Sequence, residues 1–403
     1  MNTHTDSVFT LHTINVIGSV SSGLCCDNNR IAGGVCLKRN IICIMAFLFL
    51  FMISGCEKKG EVIEKNNNDT EQEYLTNENM VLEFPKEYKA VDGRVTFDCK
   101  VTAPDIGEVK EFTAIKKEID SEQLYNNIEN KIVIDSYEEY ESYSGDILRS
   151  IDSGDICISL AKDLLFYNNT KYTAGLYGAF KIDELDINSN IDKFLTDKEL
   201  AFASREEAEK MLYADLDYMG LKNNSLDIHL YVCDMETLEN EYSIYEESNE
   251  LAGGNPEDKK IYEGYYLCAR QLLDGVPVFT KIARVMYQDV EANSQIKAFY
   301  TGEGLQFLDV NELYDFKETG NVHKLLAFED IAQSLSEHYN YYITDDNYLV
   351  YSAKLYNYVK SDNETYSVTP VWIFKTYVTD VNGMVSQRQF EINAVTGEVF
   401  ERD

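Results

Sequence analysis

Phe328-Glu329-Asp330-Ile331-Ala332-Gln333-Ser334-Leu335-Ser336-Glu337-His338-Tyr339 opens the C-terminal segment of this 403-residue chain. Phe328, Ile331, Ala332, Leu335 and Tyr339 recur at the spacing of one helical face, which predicts an amphipathic helix. Behind it the period shortens: strands are predicted at 348–359 and 371–379. Asn382-Gly383 then predicts a type I′ hairpin turn, with 387–394 pairing back. Thr396-Gly397 turns the chain into a last strand at 398–400. A helix with a single apolar stripe must bury it on one face of the sheet beside it.

The same order occurs upstream. Ser204-Arg205-Glu206-Glu207 reads as a capping box, because the Ser hydroxyl and the Glu carboxylate can each satisfy a free backbone N–H. Ala208, Met211, Leu212, Leu216 and Met219 follow at helical spacing, and Gly220 suits the left-handed residue that ends a helix. Leu226, Ile228, Leu230 and Val232 alternate as a strand, and Asp274-Gly275 marks a hairpin between 262–273 and 276–279. A loop is predicted at Gly253-Gly254-Asn255-Pro256. The expected fold class is therefore α+β, with antiparallel sheets and amphipathic helices packed on one face. Two helix-plus-meander modules are expected, at 201–312 and 325–403, as a weak internal duplication. An N-terminal α+β domain is expected at 80–200, with a strand at 94–101 and a helix at 120–131. The 29 tyrosines fall mostly in strands and fit sheet packing.

The stretch Lys38-Arg39-Asn40-Ile41-Ile42-Cys43-Ile44-Met45-Ala46-Phe47-Leu48-Phe49-Leu50-Phe51-Met52-Ile53-Ser54-Gly55-Cys56 has a different character. A basic pair, a short apolar run and small residues form the layout of a secretory signal. A spanning helix needs about 20 apolar residues, more than lie between Ile41 and Gly55. Residues 1–55 are read as leader, and translation is expected to start near Val35 or Leu37. Residues 56–79 are read as a flexible tether carrying Asn66-Asn67-Asn68-Asp69.

The formal charge is −34. So acidic a chain repels phosphate backbones, which argues against nucleic acid as a partner. Beyond Cys56 the cysteines are Cys99, Cys157, Cys233 and Cys268. If one pair joins, Cys233 with Cys268 is expected, since both fall on predicted neighbouring strands.

Motifs for chemistry are sparse. His229, His323 and His338 form no metal-protease spacing, and His229 alternates with apolar neighbours, so it faces the more polar side of its strand. Ser159-Leu160-Ala161-Lys162, Ser361-Asp362-Asn363 and Lys375-Thr376-Tyr377 echo the three motifs of penicillin-recognising enzymes. Asn363 and Lys375 lie too close in the chain for that family, and Tyr377 stands where it needs Gly. Asp186, Asn188, Asn190, Asp192 and Asp197 follow the spacing of a calcium loop, but Ile191 replaces the turn Gly and Asp197 the bidentate Glu. An Asn/Asp-rich turn is the better reading. No catalytic residue, metal or cofactor is expected.

Ile53-Ser54-Gly55-Cys56 resembles the lipobox of bacterial lipoproteins. That resemblance implies cleavage between Gly55 and Cys56, a diacylglycerol on the Cys56 thiol, and anchoring on the extracytoplasmic face of the cell membrane. The helix at 328–339, Pro370-Val371-Trp372-Ile373-Phe374 and Ile392-Asn393-Ala394-Val395-Thr396-Gly397-Glu398-Val399 together resemble a PepSY module. The mature chain is similar to uncharacterised lipoproteins of clostridia-like, Gram-positive Firmicutes. The likeness there lies in Val101-Thr102-Ala103-Pro104-Asp105, 204–220, Asp274-Gly275-Val276-Pro277-Val278 and 370–374. These resemblances imply a non-catalytic binding or regulatory module acting on an envelope protein such as a sensor kinase or protease. Contacts are expected near Trp372 and the Asn382-Gly383 hairpin, with Trp372 itself in the core. The alternative is a small-ligand or cation-binding lipoprotein serving a transporter.

Overall fold

The computed structural model describes residues 83–400, apart from 130–131, 142–146, 174–181, 187–188, 222–224, 251–260, 284–289, 343 and 363–364. Gly55, Cys56, the leader, the tether and the Gly253-Gly254-Asn255-Pro256 loop lie outside the described residues.

Eight strands form a wholly antiparallel sheet. In spatial order they are β4 (Ser136–Glu141), β5 (Ile147–Ser153), β6 (Ile156–Leu160), β7 (Leu164–Asn169), β13 (Gly304–Asn311), β12 (Ile296–Thr301), β9 (Gly264–Leu273) and β8 (Leu226–Cys233). The second assembly is built on a long hairpin of β15 (Asn347–Asp362) and β16 (Thr365–Thr379). One half of β15 takes β2 (Val95–Thr102) in parallel, and β2 pairs with β1 (Glu87–Asp92). The other half meets β10 (Val276–Ala283), again in parallel, and β10 carries β11 (Val290–Asn293). Beyond β16 lie β17 (Val385–Asn393), β18 (Val399–Phe400) and β3 (Glu108–Lys116), and β3 carries β14 (Tyr314–Lys324). The β9–β10 hairpin across Asp274-Gly275 joins the two systems, both turn residues having positive φ.

The expected α+β class is thus corrected. The protein is mostly β: 52% of the described residues are strand and 20% helical. The sheet is large and mixed rather than antiparallel, because β15 is long enough to accept two parallel neighbours along one edge. Met80–Asp403 forms one compact unit. The expected boundaries at 200 and 312 fall within shared sheets: β1 to β3 join the C-terminal strands, and β4 to β7 join β8, β9, β12 and β13.

The described helices are α1 (Ser121–Glu129), the single turn α2 (Thr170–Thr173), α3 (Arg205–Tyr218), α4 (Met235–Glu250) and α5 (Phe328–Tyr341). Ser204 caps α3 as the sequence predicts: its hydroxyl accepts from Glu207 N–H and the Glu207 side chain accepts from Ser204 N–H. At its other end Gly220 has φ +74°, and Leu221 N–H reaches Leu216 O in a Schellman closure. The buried face of α3, Ala208, Leu212 and Leu216, packs in one core with Tyr265, Leu267, Ala298 and Tyr300. Phe328, Ile331, Ala332 and Leu335 of α5 share another with Trp372, Phe374 and Ile392. Each large apolar side chain so buried contributes roughly 1.5–3 kcal/mol. The C-terminal end of α5 is closed by Arg94, whose guanidinium donates to the carbonyls of Tyr339 (2.8 Å), Tyr342 (2.7 Å) and Thr344. A cation there also complements the negative end of the helix dipole.

The turn after β16 is not the two-residue type I′ turn. Gly383 N–H bonds to Asp380 O and Asp380 N–H to Met384 O, which encloses a three-residue loop with Gly383 at φ +79°. The Asp380 carboxylate fixes it by accepting from Asn382 N–H and Met384 N–H, both at 2.8 Å.

Candidate functional site

Two places carry functional potential. The first is the free edge of β17. β16 covers one side of this strand throughout, whereas β18 pairs only with Glu391 and Ile392 on the other. Among the described residues nothing pairs beside 385–390 on that outer side. Asn393 N–H bonds outward to Glu398 O and Ala394 N–H inward to Pro370 O, and the ladder from there to Val385 has no register shift. Alternation therefore points the backbone groups of Val385 and Gln387, both exposed, to the open edge, whereas Gln389, next in the same alternation, is buried. Next to it the hairpin tip exposes Val381 (67%), Met384 (71%) and Val385 (63%). Trp372 is fully buried, edge-on to Phe84 and Phe328 with ring centroids 5.2 and 5.0 Å away. The hairpin expected to make contacts is exposed, and Trp372 belongs to the core.

The second is an ionic cluster between the two strand systems. Asp227 and His229 stand two apart on β8 and so share a face; Arg270 of β9 lies opposite Asp227, and Cys268 opposite His229. Lys354 and Tyr356 reach in from β15. The segment 182–186 wedges between them. Asp183 accepts from Arg270 Nη2 at 2.7 Å and from Leu185 N–H and Ser294 N–H, with Lys297 Nζ at 3.5 Å. Glu184 Oε1 accepts from Tyr356 Oη (2.7 Å), Arg270 Nη1 (2.9 Å) and Lys354 Nζ (3.0 Å), and its backbone carbonyl accepts from Lys375 Nζ. Arg270 is wholly buried, while Asp227 and His229 are 27% and 32% exposed. The cluster thus grades from solvent into the core.

Burial alone would raise these carboxyls, but the cations outweigh it. Arg270 and Lys297 hold Asp183 well below the usual carboxylate range. Arg270 and Lys354 bring Glu184 down to about 2. His229 and Lys354 lower Asp227. Burial in turn pushes Lys375 down. Each lowered carboxyl adds stability above the ordinary carboxylate range, and that stability is lost as pH falls toward the folded-state value.

Asp309 behaves in the opposite sense. It is buried in β13 beside Lys297 of β12, and burial raises its carboxyl to about 6 against the partial relief of Lys297 and Asn311. The fold favours its protonated form, so stability is lost as pH rises through about 6. Asp309→Asn is expected to stabilise the protein by about 2–3 kcal/mol at about pH 7.5 and to be neutral near pH 3.5. Urea unfolding at the two pH values measures this; equal or lower stability of the variant at the higher pH would contradict it.

The other sequence motifs disperse. Lys162 pairs with Glu118 at 2.7 Å on the surface and Lys375 binds the Glu184 carbonyl, so the penicillin-enzyme echoes build no common site. In the calcium-like loop Asn188 lies outside the described residues, Ile191–Lys193 makes a 3₁₀ turn, and Asn190 turns its amide to Glu241 at 2.9 Å. Cys233 and Cys268 do lie on paired strands, but both are free. Cys233 faces Gly264 and Cys268 faces His229, so the two cysteines are offset by roughly 13 Å along the sheet, beyond disulfide reach.

No family profile and no curated protein matches this sequence. The fold has a solved counterpart. The crystal structure of an uncharacterized protein from Eubacterium rectale superposes with a TM-score of 0.60 at 20% identity, covering 79% of this chain and 94% of that one. At that identity the likeness speaks for the fold alone.

Proposed function

We propose that this chain is a cell-surface lipoprotein, anchored through diacylglycerol on Cys56, that acts without catalysis on an envelope protein partner, a sensor kinase or a protease. The observation that carries this reading is the open edge of β17 beside an exposed apolar hairpin tip. An extended segment of the partner adds as a further strand, receiving the outward backbone groups of Val385 and Gln387, while the side chains of Val381, Met384 and Val385 supply apolar contacts. Lipidation confines the module to the membrane surface and raises its effective concentration toward the partner. The 325–403 segment is, in this reading, the PepSY-like recognition module.

Gln387→Pro tests the mechanism. Proline removes an outward N–H and leaves the β16 ladder intact, because the inward bonds come from even-numbered neighbours. The variant is expected to keep wild-type thermal stability within about 1 kcal/mol and to lose crosslinked partner in cells.

A further inference from the structure

We infer a divalent transition-metal site, suited to zinc, at Glu184 Oε1, Asp227 Oδ2 and His229 Nε2, in which the Lys354 ammonium is an internal, displaceable competitor. The three side chains offer ligand atoms that all lie within 4.8 Å of one another. Nε2 of His229 is 3.2 Å from Asp227 Oδ2 and 3.7 Å from Glu184 Oε1. Ligand atoms around tetrahedral zinc sit about 3.4 Å apart, given bonds near 2.1 Å, so small side-chain shifts close the set. One imidazole and two carboxylates leave a fourth position for water.

Independently of that spacing, a cation already sits at this point. Lys354 Nζ lies 3.0 Å from Glu184 Oε1, 3.1 Å from Asp227 Oδ2 and 3.3 Å from His229 Nε2. This arrangement asks two things of one nitrogen. Nε2 can either donate a proton to the Asp227 carboxylate or offer its lone pair to the Lys354 ammonium. It cannot do both. A metal ion in place of the ammonium removes the conflict: it takes the lone pair and both carboxylates, and Lys354 swings toward solvent. The path is open, since Asp227 and His229 are each about a quarter to a third exposed. Behind the site Arg270 divides its guanidinium between Asp183 Oδ1 (2.7 Å) and Glu184 Oε1 (2.9 Å), so it backs the Glu184 carboxylate from the buried side, and the imidazole favours zinc over the oxygen-seeking calcium and magnesium ions.

Calorimetry of chelator-treated, full-length protein with zinc chloride tests this. Wild type is expected to bind one ion that His229→Ala loses or weakens by about tenfold or more. Lys354→Met, which removes the competitor, is expected to tighten binding by about tenfold, and Lys354→Arg, which keeps a cation, is not. Cobalt substitution gives a second readout: visible absorption of a low-symmetry Co²⁺ site in wild type, absent in His229→Ala, with circular dichroism confirming that both are folded. Zinc binding unaffected by His229→Ala, or none by either wild type or Lys354→Met at about 1 mM ion, would overturn the site.

Discussion

Arg270→Met is expected to destabilise the protein by about 3–5 kcal/mol at neutral pH. Its guanidinium is wholly buried and divides its donors between Asp183 Oδ1 and Glu184 Oε1. Methionine fills similar volume but leaves Asp183 ionised in the interior with only two backbone N–H groups and Lys297 in support. The sign of the pH effect follows. Wild type owes part of its stability to carboxyls held below their ordinary range, and that part is lost on acidification. The variant has little of it to lose, so the gap between the two proteins should narrow as pH falls toward about 3. Urea unfolding at neutral and acid pH checks both statements. Replacing both partners, as Arg270→Met with Asp183→Leu, should recover part of the loss, because a buried pair costs most when one member is removed. A single variant as stable as wild type would show that the segment 182–186 does not hold the two strand systems together.

Gly264→Ala should cost at least about 3 kcal/mol, or prevent folding. Gly264 opens β9, where its backbone lies against β12. A Cβ there would overlap the Tyr300 carbonyl oxygen and come within 2.5 Å of the Phe299 ring. The ring could rotate away, but the carbonyl belongs to a strand paired with both β9 and β13. Relief therefore means prising β9 away from β12 at the end of their ladder. Thermal unfolding of the variant measures the effect, and a melting temperature equal to wild type would contradict this packing.

Local chemistry explains which parts of the fold were legible in the sequence. The α3 cap, its Schellman end, the Asp274-Gly275 hairpin and the α5 stripe are all written within a few residues. The α4 helix escaped because most of its residues are polar, Leu238 and Tyr242 being the buried apolar positions among its described side chains. Its one start signal was Asp234, whose carboxylate accepts from Thr237 N–H at 2.9 Å. β14 falls in the gap between the two expected modules, and nearly every side chain in it is exposed, which leaves no alternation to read. The parallel pairings with β15 arise from contacts between segments far apart in sequence, which no local pattern encodes.

The same limit hid the ionic cluster. Glu184, Asp227, His229 and Lys354 come from three distant parts of the chain. Only Asp227 and His229, two apart on a predicted strand, hinted that polar groups shared a face. The open edge of β17 was more accessible, because the hairpin that bounds it announces itself through Asn382-Gly383. Its tip chemistry needed the structure: Val381 and Met384 are exposed because Asp380 closes the loop beneath them.

The most direct test of the proposed function is in-cell photocrosslinking from Met384 in the full-length, lipidated protein, with and without Gln387→Pro. A single envelope protein should be captured, identified by mass spectrometry as a kinase or protease, and lost when proline interrupts the open edge. Capture unchanged by Gln387→Pro, or only lipid and abundant surface proteins in both samples, would contradict strand addition at β17.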